Sequence, residues 1–381
     1  MFSRSTQPVK TQSLAVLDVI AKRLQAHHLV GTPFHSAEEA IAWFGAVQSQ
    51  DYPAAKWGLG QRLHGMQDKD VDRVFDKGGI LRTHVLRPTW HFVAPRDILW
   101  IQELTSARVV AGLAGRHRRL ELDQRTIARA TDLFGEALSG GRNLTRSELG
   151  EVLTAAGISP EGQRLPHLLA VAEHANVITS GPRRGKQFTY ALLAERAPRA
   201  RRLDREEALR ELAVRYFTSH GPAQVKDFAW WSGLTVQDIK KGVQLAAGAL
   251  DRHHVDGLEY WSGGNGARGR AGMVAHLLPN FDEFTVAYRD RSALLDTSIP
   301  FDGRAFAYYR DATPMGGILS NIVLIGGRVK GAWSRSLQGG KLHVQVRQLA
   351  PLTRTEIAAV NRAAASLGTF LGADRTDLRL D

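Results

Sequence analysis

Two neutral amides, Gln48 and Gln50, flank one small residue in the stretch FGAVQSQDYPAAKWGLG, residues 44–60. They stand where one helical pattern stops, just before Asp51, Tyr52 and Pro53 open another. In an extended link, residues two apart point the same way, so the amides converge while Ser49 faces elsewhere. Each amide offers an acceptor oxygen and two donor hydrogens. A converging pair can therefore hold and orient a water molecule, although neither member can take up a proton as a carboxylate would. Spacing alone also admits a second arrangement, in which one glutamine caps a helix and the other meets solvent. Asp51 alternates away from the pair and ranks as a supporting residue.

Other patterns that carry chemistry are weaker. His27-His28 and His253-His254 have no third ligand at metal spacing, so neither a metal site nor any cofactor is expected. Asp282 and Glu283 adjoin in FDEF. In a strand they would face opposite sides, which argues against a two-carboxylate mechanism from this pair and leaves Asp282 free to hold a nearby arginine, for example in the following YRDR. There is no cysteine. Disulfides, thiolate metal sites and thiol nucleophiles are thereby excluded, in agreement with a reducing cytoplasm.

The elements that must position the glutamines follow from patterning. The chain has 381 residues, 43% of them hydrophobic, and suits two to four compact units. No segment approaches a membrane span, and the polar start MFSRSTQPVKTQS lacks an apolar signal core. A soluble cytoplasmic protein is the expectation. The net charge of +12 points to a polyanionic partner, nucleic acid first. Clusters such as SARVVAGLAGRHRRL and GPRRGKQFTYALLAERAPRARR concentrate that charge, and release of counterions from a phosphate backbone would drive their binding.

Three segments share one plan of helices, a short helix-turn-helix and a strand pair with a basic tip. The first, over residues 13–105, contains the helix SLAVLDVIAKRLQAHHL and then SAEEAIAWFGAV, where Ser36 and Glu39 form a capping-box pattern. Pro53 suits the first turn of the next helix. ILRTHVLRPTWHFV reads as a hairpin wing, with Arg82, Arg87 and His91 as phosphate contacts and Trp90 and Phe92 as core. Connecting helices over 106–142 precede a second copy at 143–195, whose wing tip carries Arg183, Arg184 and Lys186 as a phosphate clamp. A third copy spans 203–262, and SGGNGARGRAG is a glycine-rich linker. From residue 273 to 381 the strands MVAHLLPNFDEFTVAYRDR, RAFAYYR, NIVLIGGRVKGAWSRS and KLHVQVRQL and a closing helix read as a separate α+β lobe.

The segments AVQSQDYPAAKWGLGQRL, LRPTWHFVAPRDI, LLPNFDEFTVAYRDR and GRVKGAWSR together resemble the winged-helix DNA glycosylases of the AlkZ and YcaQ type, over nearly the whole chain. The resemblance implies an α+β fold of tandem winged helix-turn-helix domains around a concave basic DNA channel. It also implies monofunctional hydrolysis of the N-glycosidic bond of N7-alkylated purines in double-stranded DNA, bulky and crosslinked adducts included, by a monomer. The family's catalytic motif is Gln, an apolar residue, then Gln or Asp. Here it falls on Gln48 and Gln50, as in the AlkZ-like branch, and departs from the pattern at the polar Ser49. The competing reading is a non-enzymatic winged-helix transcriptional regulator. Such regulators generally carry one winged helix and a dimerisation element, whereas no coiled-coil heptad is present here.

Overall fold

The computed structural model describes residues 11–13, 15–263, 272–296 and 320–381. Strand β1 (Thr11–Ser13) and helix α1 (Val16–Ala26) precede a first group: α2 (Ala37–Phe44), β2 (Ala46–Gln48), α3 (Tyr52–Gly60), α4 (Asp68–Lys77), β3 (Leu81–His84) and β4 (Trp90–Val93). Helix α5 (Ile98–Arg119) leads to a second group of α6 (Gln124–Leu138), β5 (Leu144–Thr145), α7 (Arg146–Ala155), α8 (Arg164–His174), β6 (Ile178–Ser180) and β7 (Thr189–Leu192). The short α9 (Leu193–Arg196) precedes α10 (Arg205–His220), α11 (Val225–Ser232), α12 (Val236–Leu245), β8 (Leu250–Val255) and β9 (Leu258–Gly263). The C-terminal part holds β10 (Ala275–Leu278), α13 (Glu283–Val286), β11 (Ile322–Ile325), β12 (Arg328–Gln338), β13 (Lys341–Gln348), α14 (Arg354–Leu371) and β14 (Arg375–Leu380).

The first two groups repeat one order: helix, short strand, two helices, strand pair. Their sheets, β2-β4-β3 and β5-β7-β6, have matching topology. In the third group the short-strand position is taken by Ala223, which bridges Trp261 of β9. This is an α+β fold of tandem winged helix-turn-helix units with a C-terminal five-stranded sheet, β10-β11-β12-β13-β14. Local chemistry sets the boundaries. The Ser36 hydroxyl accepts the Glu39 amide at 3.1 Å and starts α2, and Thr145 with Glu148 closes a reciprocal cap on α7. Gly45, at φ +81°, ends α2 and turns the chain into β2. The helical pattern expected to reach Val47 therefore stops at Phe44, and residues 46–48 are a strand.

Packing differs from the sequence expectations in three further ways. Helix α1 does not pack as part of the first winged helix. Its Ile20 and Leu24 join a core with Leu278, Phe284 and Leu324 of the C-terminal part, while β1 pairs parallel with β8. The C-terminal lobe is not separate either. One apolar core joins Phe44, Val47 and Trp57 to Leu277, Val323 and Trp333 of the five-stranded sheet and Phe370 of α14. A second core joins Ala46, Leu81 and Val93 of the first sheet to Tyr216, Phe228 and Trp231 of the third group. The first sheet is thus covered on both faces. FDEF, finally, is no strand: Asp282 caps α13 by accepting the Phe284 amide at 2.9 Å. The expected strand RAFAYYR and most of the glycine-rich linker lie outside the described residues.

Asp282 also takes both ends of the Arg62 guanidinium, at 2.9 and 2.7 Å, with both side chains almost wholly buried. Its arginine partner comes from the end of α3 rather than from YRDR. Arg62 adds the carbonyls of Gly58 at 2.6 Å and His27 at 3.0 Å, so its donors are well used. Removing one partner of such a pair strands a buried charge. Asp282→Asn should lower the unfolding free energy by about 3–5 kcal/mol, read from the urea midpoint at unchanged m-value; a change below about 1 kcal/mol, the range of exposed pairs, would show that the pair is solvated.

Candidate active site

Gln48 closes β2, directly opposite His91 of β4. The ladder runs one residue further, because the Ser49 amide donates to the Trp90 carbonyl at 2.8 Å. The Trp90 amide then donates to the Gln50 side-chain oxygen at 3.3 Å. The strand pairing thus ends at Ser49, and the chain bends at Gln50 and Asp51 before α3, which puts the two glutamines on either side of that ending. Their surroundings differ, however. Gln48 is 8% exposed and Gln50 lies open at the end of the strand. The Gln48 Oε1 atom is buried without a hydrogen-bond partner among the described residues. Gln48 is also among the residues lining a cavity of ≈ 10 Å³, with Phe44, Arg62, Asn280, Asp282 and Glu283, close to the space one water needs. Asp51 caps α3 through the Ala54 amide at 3.1 Å and accepts Asn280 at 3.2 Å.

Residues far away in sequence hold this segment. Arg82, 8% exposed, donates from Nε to the Ser49 carbonyl at 3.0 Å and from Nη2 to that of Gln50 at 3.3 Å. Its guanidinium lies 4.3 Å from the Trp90 ring and 4.9 Å from that of Phe188. Burial lowers its pKa to about 10, which leaves it charged at neutral pH. From the other side Glu283 Oε2 accepts the Gln48 amide at 3.1 Å. Its Oε1 accepts Trp231 Nε1 and lies 3.2 Å from His220 Nε2. Burial pushes the Glu283 carboxyl up, but the His220 hydrogen bond and charge and the Gln48 amide outweigh it and hold it below its ordinary value.

The basic residues expected at DNA divide into two sets. Arg82 and His91 come to the site but not to the surface, and Arg87 is only partly exposed. His91 is fully buried, and burial, with Arg87 adding, pushes its pKa down to about 3, so it is neutral and offers no cation to phosphate. Arg87 has Nε and Nη2 buried without partners among the described residues and lies 5.8 Å from the Trp230 ring. Arg183 is spent on Asp76 at 2.8 Å and Asp72 at 2.9 Å. Arg184 pairs with Glu148 at 2.7 Å while half exposed, and Lys186 is exposed. The exposed Arg108, Arg118 and Arg119 of α5 add to the basic surface. Phe92 is core as expected, while Trp90 is only half-buried. Glu283, Trp231 and His220 were missed as site residues. The only hint was a carboxylate pair behind a proline-asparagine turn, which says nothing of a partner 235 residues away.

Among the described residues no group of three or more His, Asp or Glu is placed to hold a metal, and no helix is long and apolar enough to cross a membrane. A protein-family model described as DNA glycosylase AlkZ-like matches residues 41–370. No curated protein matches the chain. Among solved structures, the fold is similar to that of Streptomyces sahachiroi DNA glycosylase AlkZ, with a TM-score of 0.79 at 20% identity, over 97% of this chain and 100% of that one.

Glu283 gives the site a pH signature. Its folded-state pKa lies below the ordinary 4.5, so its contribution to stability is complete above that value and is lost as pH falls through the folded one. The stability gap between the wild type and Glu283→Gln should therefore narrow on acidification below pH about 4.5, measured by denaturant unfolding at each pH. A gap independent of pH would mean that the carboxylate is not ionised in the folded chain.

Proposed function

The chain belongs to the AlkZ-like family of DNA glycosylases, and on that premise we propose that it hydrolyses the N-glycosidic bond of N7-alkylated purines in double-stranded DNA. The observation that carries this reading is the buried side-chain oxygen of Gln48, which has no partner among the described residues, in a residue that also lines a water-sized cavity. A buried acceptor without a partner is costly unless water or substrate completes it.

Alkylation at N7 makes the purine cationic, so the C1′–N9 bond breaks with its electron pair leaving on the base and neutralising that charge. No general acid is needed. The sugar becomes an oxocarbenium ion, and the water that adds at C1′ releases its proton to solvent. The products are an abasic site and the free alkylpurine. Gln48 Oε1 takes a hydrogen of the water and orients its lone pair. Gln50, at the open end of the strand, turns its oxygen dipole to the positive sugar. Arg82 and Glu283 fix the intervening backbone from opposite sides, which preorganises both oxygens. A neutral amide stabilises positive charge less than a carboxylate does, and this suits a substrate already activated by its own charge. Asp51 supports the site as the cap that starts α3.

Bulky and crosslinked adducts fall within the same substrate class, because each carries the same positive charge on the purine before the bond breaks. Such a base does not fit a snug pocket, and an open basic channel between winged helices removes that requirement. The enzyme works as a monomer in the cytoplasm. The exposed Arg184, Lys186, Arg108, Arg118 and Arg119 supply its phosphate contacts, whereas Arg82 and His91 serve the site from within.

A duplex with one N7-methylguanine, incubated with the protein and heated in alkali, should break at the lesion. Gln48→Ala and Gln50→Ala should each slow excision by about 10²-fold under single-turnover conditions. A wild-type protein that binds the duplex and leaves no abasic site would overturn the reading. Lys186→Ala should flatten the slope of log K against log salt by about 0.9 without changing the excision rate of bound DNA.

A further inference from the structure

We propose that His91 is the second acceptor for the nucleophilic water, acting across the strand pair with Gln48; this rests on the glycosylase reading above. Gln48 and Thr83 both lie directly opposite His91 in the sheet β2-β4-β3. Directly paired residues project from the same face, with Cβ atoms about 4.5–5.5 Å apart. The deeper row on that face is apolar: Ala46, Val93 and Leu81 pack against the third winged helix. The next row, Gln48, His91 and Thr83, is polar throughout.

Each member of that row keeps one buried polar atom without a partner among the described residues: Gln48 Oε1, His91 Nε2 and Thr83 Oγ1. Three such atoms in one row of the sheet give a bound solvent molecule the polar partners it needs. The chemistry of the atoms fits a nucleophilic water. The Thr89 carbonyl, 2.8 Å from His91 Nδ1, can only accept, so Nδ1 carries the hydrogen and Nε2 keeps a lone pair. Burial keeps the ring neutral, with a pKa of about 3, so that lone pair persists throughout the working range of pH. Gln48 Oε1 and His91 Nε2 then take one hydrogen each, and the water turns its own lone pair outward to the anomeric carbon. Such a weak base does not need to remove a proton, because water adds to a sugar that is already cationic.

The test uses the full-length enzyme, an N7-methylguanine duplex for single-turnover excision and a tetrahydrofuran-abasic duplex for affinity. His91→Phe keeps the bulk of the ring and loses the acceptor. It should slow excision by about 10²-fold while the Kd for the abasic duplex stays within about twofold. His91→Gln puts an amide group near the Nε2 position and should recover excision to within about tenfold of wild type, whereas His91→Asn, with its amide near Nδ1, should stay as slow as the phenylalanine variant. Should His91→Phe fail to fold, the contrast of Gln with Asn decides. Excision by His91→Phe at the wild-type rate, equal defects in Gln and Asn, or a loss of rate matched by loss of affinity would each overturn the proposal. If wild type excises and Gln48→Ala does not, these failures count against His91 alone. If wild type does not excise, the glycosylase reading itself fails.

Discussion

One carboxylate joins three parts of this chain. Glu283 comes from the C-terminal part, accepts the amide of Gln48 from the first winged helix, and meets Trp231 and His220 of the third. A charge buried to this degree persists only when donors surround it, and all three parts supply or hold them. The neighbouring Asp282, the cap of α13, repeats the constraint by clamping Arg62 at the end of α3. The shared apolar core between the first winged helix and the five-stranded sheet follows from the same arrangement. The glutamine strand is therefore a built part of the interior, although its last residue opens to solvent.

Fixing both sides of a short segment is what a water-orienting site demands. An amide oxygen steers water only when its own backbone does not drift, and residues 48–50 are held at the amide by Glu283 and at two carbonyls by Arg82. The chemistry asked of these residues is modest. In the proposed reaction the substrate brings its own positive charge, so the protein is asked only for placement and a few fixed dipoles. Much of the arginine content serves this framework. Arg62, Arg82 and Arg183 are bound to protein groups, and the charge left for phosphate is the exposed share.

What the sequence disclosed was local. The Gln-x-Gln spacing, the cap at Ser36 and the wing hairpins could be read because each is decided within a few residues. Burial was not legible. Arg82, Arg87 and His91 read as basic residues on a wing, yet the wing is covered by the third winged helix on one face and by the C-terminal core on the other. A polar residue in a strand looks the same from sequence whether that face meets solvent or another unit. Glu283 and Asp282 were visible as a carboxylate pair, but Gln48 and Arg62, which they hold, lie over 200 residues away. Helix α1 was assigned to its sequence neighbours for the same reason, and its packing is long-range.

The claim on which the rest depends is that buried acceptors hold water against a positively charged sugar. Its most direct test is the affinity for a duplex whose target nucleotide is replaced by a cationic pyrrolidine, compared with a neutral tetrahydrofuran at the same position. A site built for the oxocarbenium ion binds the cationic duplex more tightly by about 10²-fold or more, and loses that preference in Gln48→Ala. Equal affinity of the wild type for the two duplexes would contradict it.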